Sequence, residues 1–121
     1  MYDLPKGFSF EFLRDQELEL LCFGPYTLTL HFSTGVQIQI EGSFMHAAGS
    51  DGGDRAEPAH FPLSESKLMR LLTAKVVEVK AKRNGTLTLR FDNGDRLIID
   101  GNIGPYESYH VNRPDAQLLV V

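Results

Sequence analysis

The chain has 121 residues, 42% of them apolar and 23% charged, enough for one domain with its own core. A net charge of −4 argues against nucleic acid as the main partner, because phosphate binding wants a basic face. No stretch approaches the roughly 18 apolar residues that span a membrane, and the opening MYDLPKGFSF lacks the basic and apolar regions of a signal peptide. The single cysteine, Cys22, has no intrachain disulfide partner, so a reducing cytoplasm is the expected location.

In chain order, Phe8, Phe10 and Phe12 alternate and are expected to open a sheet. Leu18, Leu20 and Cys22 share the apolar phase of a first strand, which makes Cys22 a buried, inert thiol. Leu28, Leu30 and Phe32 define a second strand, and Val36, Ile38 and Ile40 a third. The run HAAGSDGGDRAEPAH, His46 to His60, is small, polar and rich in Gly and Pro; it predicts a mobile loop over about 44–62. In SESKLMRLL, Ser64 or Ser66 can cap a short helix over about 64–73 whose apolar stripe is Leu68, Leu71 and Leu72. Three more strands follow: Val77, Val79, Ala81; then Leu87, Leu89, Phe91; then Leu97 and Ile99. Tyr106 to Val111 is a further strand, and the terminal QLLVV another.

Two stretches match without a gap: YTLTLHFSTGVQIQIEG (26–42) and GTLTLRFDNGDRLIIDG (85–101). They lie 59 residues apart and are identical at eight of 17 positions, and a weaker match continues upstream through Glu19/Glu78 to Leu13/Leu72. The chain therefore reads as two copies of a three-stranded unit, about 12–42 and 71–101. Strand phase fixes the turns. A two-residue loop at Asn84-Gly85 would set Lys80 opposite Leu89, whereas a three-residue loop, Arg83-Asn84-Gly85, pairs Ala81 with Leu87, Val79 with Leu89 and Val77 with Phe91. The same reasoning gives loops Ser33-Thr34-Gly35 and Asp92-Asn93-Gly94, each with glycine third, where the turn needs positive φ. Gly24-Pro25-Tyr26 departs from that pattern.

These registers predict outer-face rows. One runs Glu78, Arg90, Arg96, and its counterpart is Glu19, His31, Gln37; such cross-strand pairs are worth about 0.2–1 kcal/mol each. Arg90 beside Arg96 can hold an acidic partner or an anion. Leu21, Phe23 and Ile98 fall on the phase opposite the core and, with Arg90 and Arg96, are interface candidates for a protein partner or a homodimer. Unit one carries one base against four acids, a balance of −3, and unit two six bases against four acids, +2, which favours attraction between copies. The segment GPYESYHV, 104–111, gathers polar and aromatic groups, and Tyr106, Glu107, Tyr109, His110 and His31 are the candidates for lining a small-ligand or enzymatic pocket at the pseudo-twofold axis. Tyr109 and Val111 suit the core phase, which carries Glu107 inward.

No catalytic constellation stands out. Ser108 and His110 project to one strand face and Glu107 to the other. His31, His46, His60 and His110 lack zinc-site spacing, so no metal is expected. No Gly-rich loop opens onto a helix, so no cofactor is expected.

The paired LTLxF…G…I hairpins followed by YESY resemble a group of small bacterial proteins of uncharacterised function. The resemblance covers roughly 8–112, and its specific part is TLTLRFDNGDRLIIDG followed by YESYHV. It implies an immunity-like or accessory protein of the kind found beside toxin genes, and it transfers no catalytic residue. The expected fold is mainly β: two pseudo-repeated three-stranded antiparallel meanders forming a sandwich or partly open barrel, with one short helix. The expected function is non-enzymatic protein binding.

Overall fold

A computed structural model describes residues 4, 7–47, 56–59, 68–101, 108–114 and 118–121. Among these residues are ten strands: β1 (Leu18–Phe23), β2 (Leu28–Phe32), β3 (Gln37–Ile40), β4 (Phe44–Ala47), β5 (Ala56–Ala59), β6 (Val76–Ala81), β7 (Leu87–Phe91), β8 (Arg96–Ile99), β9 (Tyr109–Asn112) and β10 (Leu119–Val120). They form two five-stranded antiparallel sheets that do not close into a barrel, ordered β1-β2-β3-β9-β10 and β5-β4-β8-β7-β6. Two strands lie inside the segment expected to be a loop: β4 and β5 pair with each other, and β4 also pairs with β8. The expected helix is a single 3₁₀ turn at Leu68–Leu71 with Leu68 and Leu71 buried; residues 64–67 lie outside the described set. The Phe8–Phe12 segment is not a strand. Phe8 and Phe10 meet edge to face at 4.9 Å, and a second 3₁₀ turn covers Glu11–Leu13.

The turn glycines behave as phase demands. Phe32 N–H donates to the Val36 carbonyl, Lys82 to Thr86 and Phe91 to Asp95, each at 2.9 Å, closing three-residue loops. Gly35, Gly85 and Gly94 sit at φ 88°, 95° and 91°. The first hairpin instead has the two-residue loop Pro25-Tyr26, closed by Gly24 N–H donating to the Thr27 carbonyl at 2.9 Å.

A bulge overturns the expected phase of β1, and a second one in β6 displaces only Val77, leaving Val79 opposite Leu89 and Ala81 opposite Leu87 as expected. Leu18 pairs with Phe32 but Leu20 pairs with His31, so Glu19 is extra; Val76 pairs with Phe91 but Glu78 with Arg90, so Val77 is extra. In β1 the extra residue flips every side chain after it. Leu20 and Cys22 therefore face out and are exposed, while Leu21 turns in and packs on the core. Val76, rather than Val77, is the fully buried partner of Phe91.

The two ladders have matching layouts. β9 lies on β3 with Tyr109 opposite Ile40 and Val111 opposite Ile38; β4 lies on β8 with Phe44 opposite Ile99 and His46 opposite Leu97. Each three-stranded meander thus receives a fourth strand from beyond the other meander, so the chain exchanges strands with itself. The meanders also meet directly at an antiparallel bridge, Glu17 with Lys75. Its hydrogen bonds are reciprocal: Leu18 N–H to Ala74 O and Val76 N–H to Gln16 O, Thr73 N–H to Leu18 O and Asp15 N–H to Val76 O. Asp15 and Thr73 both take positive φ to make this approach. One hydrophobic core joins the inner faces, with Leu28, Leu30, Ile38 and Tyr109 from one sheet and Phe44, Leu87, Leu89 and Ile99 from the other.

Candidate functional site

Four strands end the sheets, and three carry devices that discourage a further strand. β5 contains Pro58, which has no N–H to donate. β10 has only two residues. On β6, Glu78 pairs with Lys80 and Arg90 at 3.3 Å each, and the Arg14 guanidinium donates to the Val77 carbonyl at 3.1 Å. The two cations hold the Glu78 carboxyl below its ordinary range.

β1 has none of these. It is six residues long, and Leu20 and Phe23 are 51% and 49% exposed. Where β6 presents Glu78, Lys80 and Ala81, the matching places on β1 are Leu20, Cys22 and Phe23. The closing bond at Gly24 sets the ladder phase, so Leu20 and Cys22 bond to β2 while the N–H and C=O groups of Leu21 and Phe23 point away from it. Among the described residues those groups meet no backbone partner. Glu19 at the bulge is the only charge on the strand.

Behind this edge two rows on the outer face of the first sheet hold no Lys, Arg, Asp or Glu. Leu20, His31, Gln37 and Asn112 form one row, and Cys22, Thr29, Gln39 and His110 the next. Cys22 Sγ lies 3.5 Å from His31 Nε2. The expected Glu19–His31 pairing does not occur, because the bulge puts Leu20 opposite His31. On the second sheet the row Glu78–Arg90–Arg96 forms as expected.

The remaining site candidates separate. Tyr106 and Glu107 lie outside the described residues. Tyr109 is fully buried and its hydroxyl donates to the Gly85 carbonyl at 2.5 Å; burial pushes its pKa well above the ordinary value. His110 and His31 sit on the outer face, so Tyr109 and these histidines share no side of the sheet. Leu21 and Phe23 are both inner-face residues, contrary to their expected outer position, although Phe23 is exposed. Ile98 is half-buried between Thr88 and Met45 on the outer face.

Sequence reasoning missed a buried ionic cluster. Asp95 is fully buried; its Oδ2 lies 2.9 Å from His46 Nε2, and Arg70 Nη2 donates to its Oδ1 at 3.0 Å. Asn93 ties the group together, accepting the Asp95 N–H at 2.9 Å and donating to the Arg70 carbonyl at 3.0 Å. The matching places in the first ladder are apolar: Val36 after the turn, Val111 on the received strand and Phe12 in the 3₁₀ turn. The signal was present in the gapless alignment, where Asp95 falls on Val36, a charge at a core-phase position. Among the described residues no three His, Cys, Asp or Glu side chains gather as metal ligands, and no helix is long and apolar enough to cross a membrane.

These features define a two-sheet antiparallel β protein that has, among the described residues, one unguarded edge strand and a buried ionic cluster. The chain belongs to a family of unknown function, DUF6188, whose model matches residues 11–121. No curated protein and no solved structure matches it.

Proposed function

We propose that this protein is a non-enzymatic binding module that takes up a strand of another polypeptide along β1. The observation that carries the reading is the contrast between edges: β1 offers two exposed apolar side chains and outward backbone groups, while β5, β6 and β10 are guarded. Strand addition supplies affinity through main-chain bonds and specificity through alternate side chains, here Leu21 and Phe23 on one face and Leu20 and Cys22 on the other. An immunity-like or accessory role in a bacterial cytoplasm, where Cys22 stays a thiol, fits such a module, since immunity proteins act by holding another protein. We also read the two ladders as copies of one ancestral unit of five strands, on the strength of the reciprocal bridge and the matched registers. On that reading, one copy kept its edge closed and the other opened it.

The test is affinity capture from the native host with the wild-type protein and with Phe23→Lys as bait. A polypeptide, self or foreign, retained by the wild type and lost from the variant supports the reading. Capture that does not depend on β1 contradicts it, as does no capture by a chain that also stays monomeric. No observation favours the ligand pocket: the described members of its lining, Tyr109, His110 and His31, do not converge.

A further inference from the structure

Building on the strand-addition reading, we propose that the strand β1 takes up is β1 of a second copy, paired antiparallel about a twofold axis at Cys22. The edge is self-complementary in that register. Leu21 lies opposite Phe23 of the second copy and Phe23 opposite Leu21, so the outward N–H and C=O groups of both residues meet partners of their own kind in reverse order. The pairing is apolar on the inner face, where it covers the 49% exposed Phe23 with Leu21. On the outer face Leu20 falls opposite Gly24, which has no side chain to obstruct it. No like charges oppose each other, because Glu19, the only charge on the strand, lies beyond the paired segment and the antiparallel arrangement sends the two copies to opposite ends.

Closure also favours a second copy. Among the described residues only one of the four edges is unguarded, so copies cannot join head to tail through two different edges. An isologous pair uses the one edge twice and stops at two. It would extend the first sheet from five strands to ten. Six-residue strands bury little area, so the association is weak and transient.

Cys22 is the reporter of register. At the axis it faces Cys22 of the second copy in a pair without direct hydrogen bonds, with Cα atoms about 4.5 Å apart, inside the roughly 4.4–6.8 Å that a disulfide spans. Diamide tests this, since two thiols become one S–S bond while the diamide accepts two electrons and two protons. The expected result for the full chain is reversible dimerisation by sedimentation under reducing conditions, and a covalent dimer on diamide treatment. Cys22→Ser keeps the reversible dimer and loses the covalent one. Cys22→Lys places two ammonium groups face to face at the axis and weakens association at least tenfold; the matching residue on β6 is Lys80, so the substitution suits the folded strand, as circular dichroism would verify. A monomer at all concentrations to about 1 mM overturns the proposal, as does a dimer that Cys22→Lys leaves intact. If the chain is monomeric yet captures a foreign protein through β1, the second copy is ruled out and the strand-addition reading stands. If neither occurs, both fall.

Discussion

Removing His46 leaves the fully buried Asp95 carboxylate short of a hydrogen bond, and His46→Val is expected to cost about 1–3 kcal/mol of stability. Replacing the whole cluster is a different matter. Asp95→Val with His46→Val and Arg70→Phe copies the residues at the matching places, Val36, Val111 and Phe12, and a well-packed apolar substitute for a buried ion pair is often neutral or stabilising. Urea denaturation should therefore find the triple variant more stable than His46→Val alone, and a further loss would mean the cluster does more than fill space. Tyr109 makes a second residue-scale test. Tyr109→Phe removes the donor to the Gly85 carbonyl and is expected to cost about 1–3 kcal/mol. The sign of its pH dependence follows from its raised pKa. Below the unfolded value of 10.0 the contribution is fully present. Above it the unfolded chain gives up the proton first, so stability falls as pH climbs toward the raised folded value. Tyr109→Phe should flatten that alkaline limb in a stability–pH profile.

At the scale of elements, the turns were legible in the sequence and the strand faces only in part. Three loops with glycine third followed from requiring opposed residues to share a face, and Gly35, Gly85 and Gly94 take the positive φ this implies. Gly85→Ala should cost more than the roughly 1 kcal/mol typical of an unfavourable backbone, because the added Cβ would also meet the Val121 side chain; thermal denaturation measures it. The bulges were not legible. One extra residue in a strand leaves no mark in composition, yet it moved Leu20 and Cys22 outward and Leu21 inward. Deleting Glu19 would leave Leu18 opposite Phe32 and Leu20 opposite His31 in simple alternation, so Leu20 and Cys22 should stay outward and Leu21 inward. Denaturant titration should then find no loss of the size that mispacking core partners brings, about 1–3 kcal/mol. β4 and β5 were hidden by the Gly- and Ala-rich segment between them. The Asp95 cluster was hidden because His46 and Arg70 reach it from separate stretches of chain, and only the charge at a core-phase position hinted at it.

For the whole molecule, self-exchange of strands ties the halves together. β4 leaves the first meander for the second sheet and β9 makes the return trip, so neither sheet is complete without residues from both halves. Fragments made by cutting the chain between β4 and β5 are expected to be unfolded alone and to regain β structure when mixed, as circular dichroism would show. Independent folding of either fragment would contradict the exchanged topology. Among the described residues the same architecture leaves β1 as the one uncovered place for a strand to add, and that is where the functional account rests. Amide hydrogen exchange at Leu21 and Phe23 tests it most directly, with Val79 and Ala81 on the guarded edge as the internal reference. The account predicts fast exchange for Leu21 and Phe23 in dilute protein. Protection of these two should rise at high concentration or on adding a captured partner, while Val79 and Ala81 stay unchanged. Equal behaviour of the two edges under every condition would contradict it.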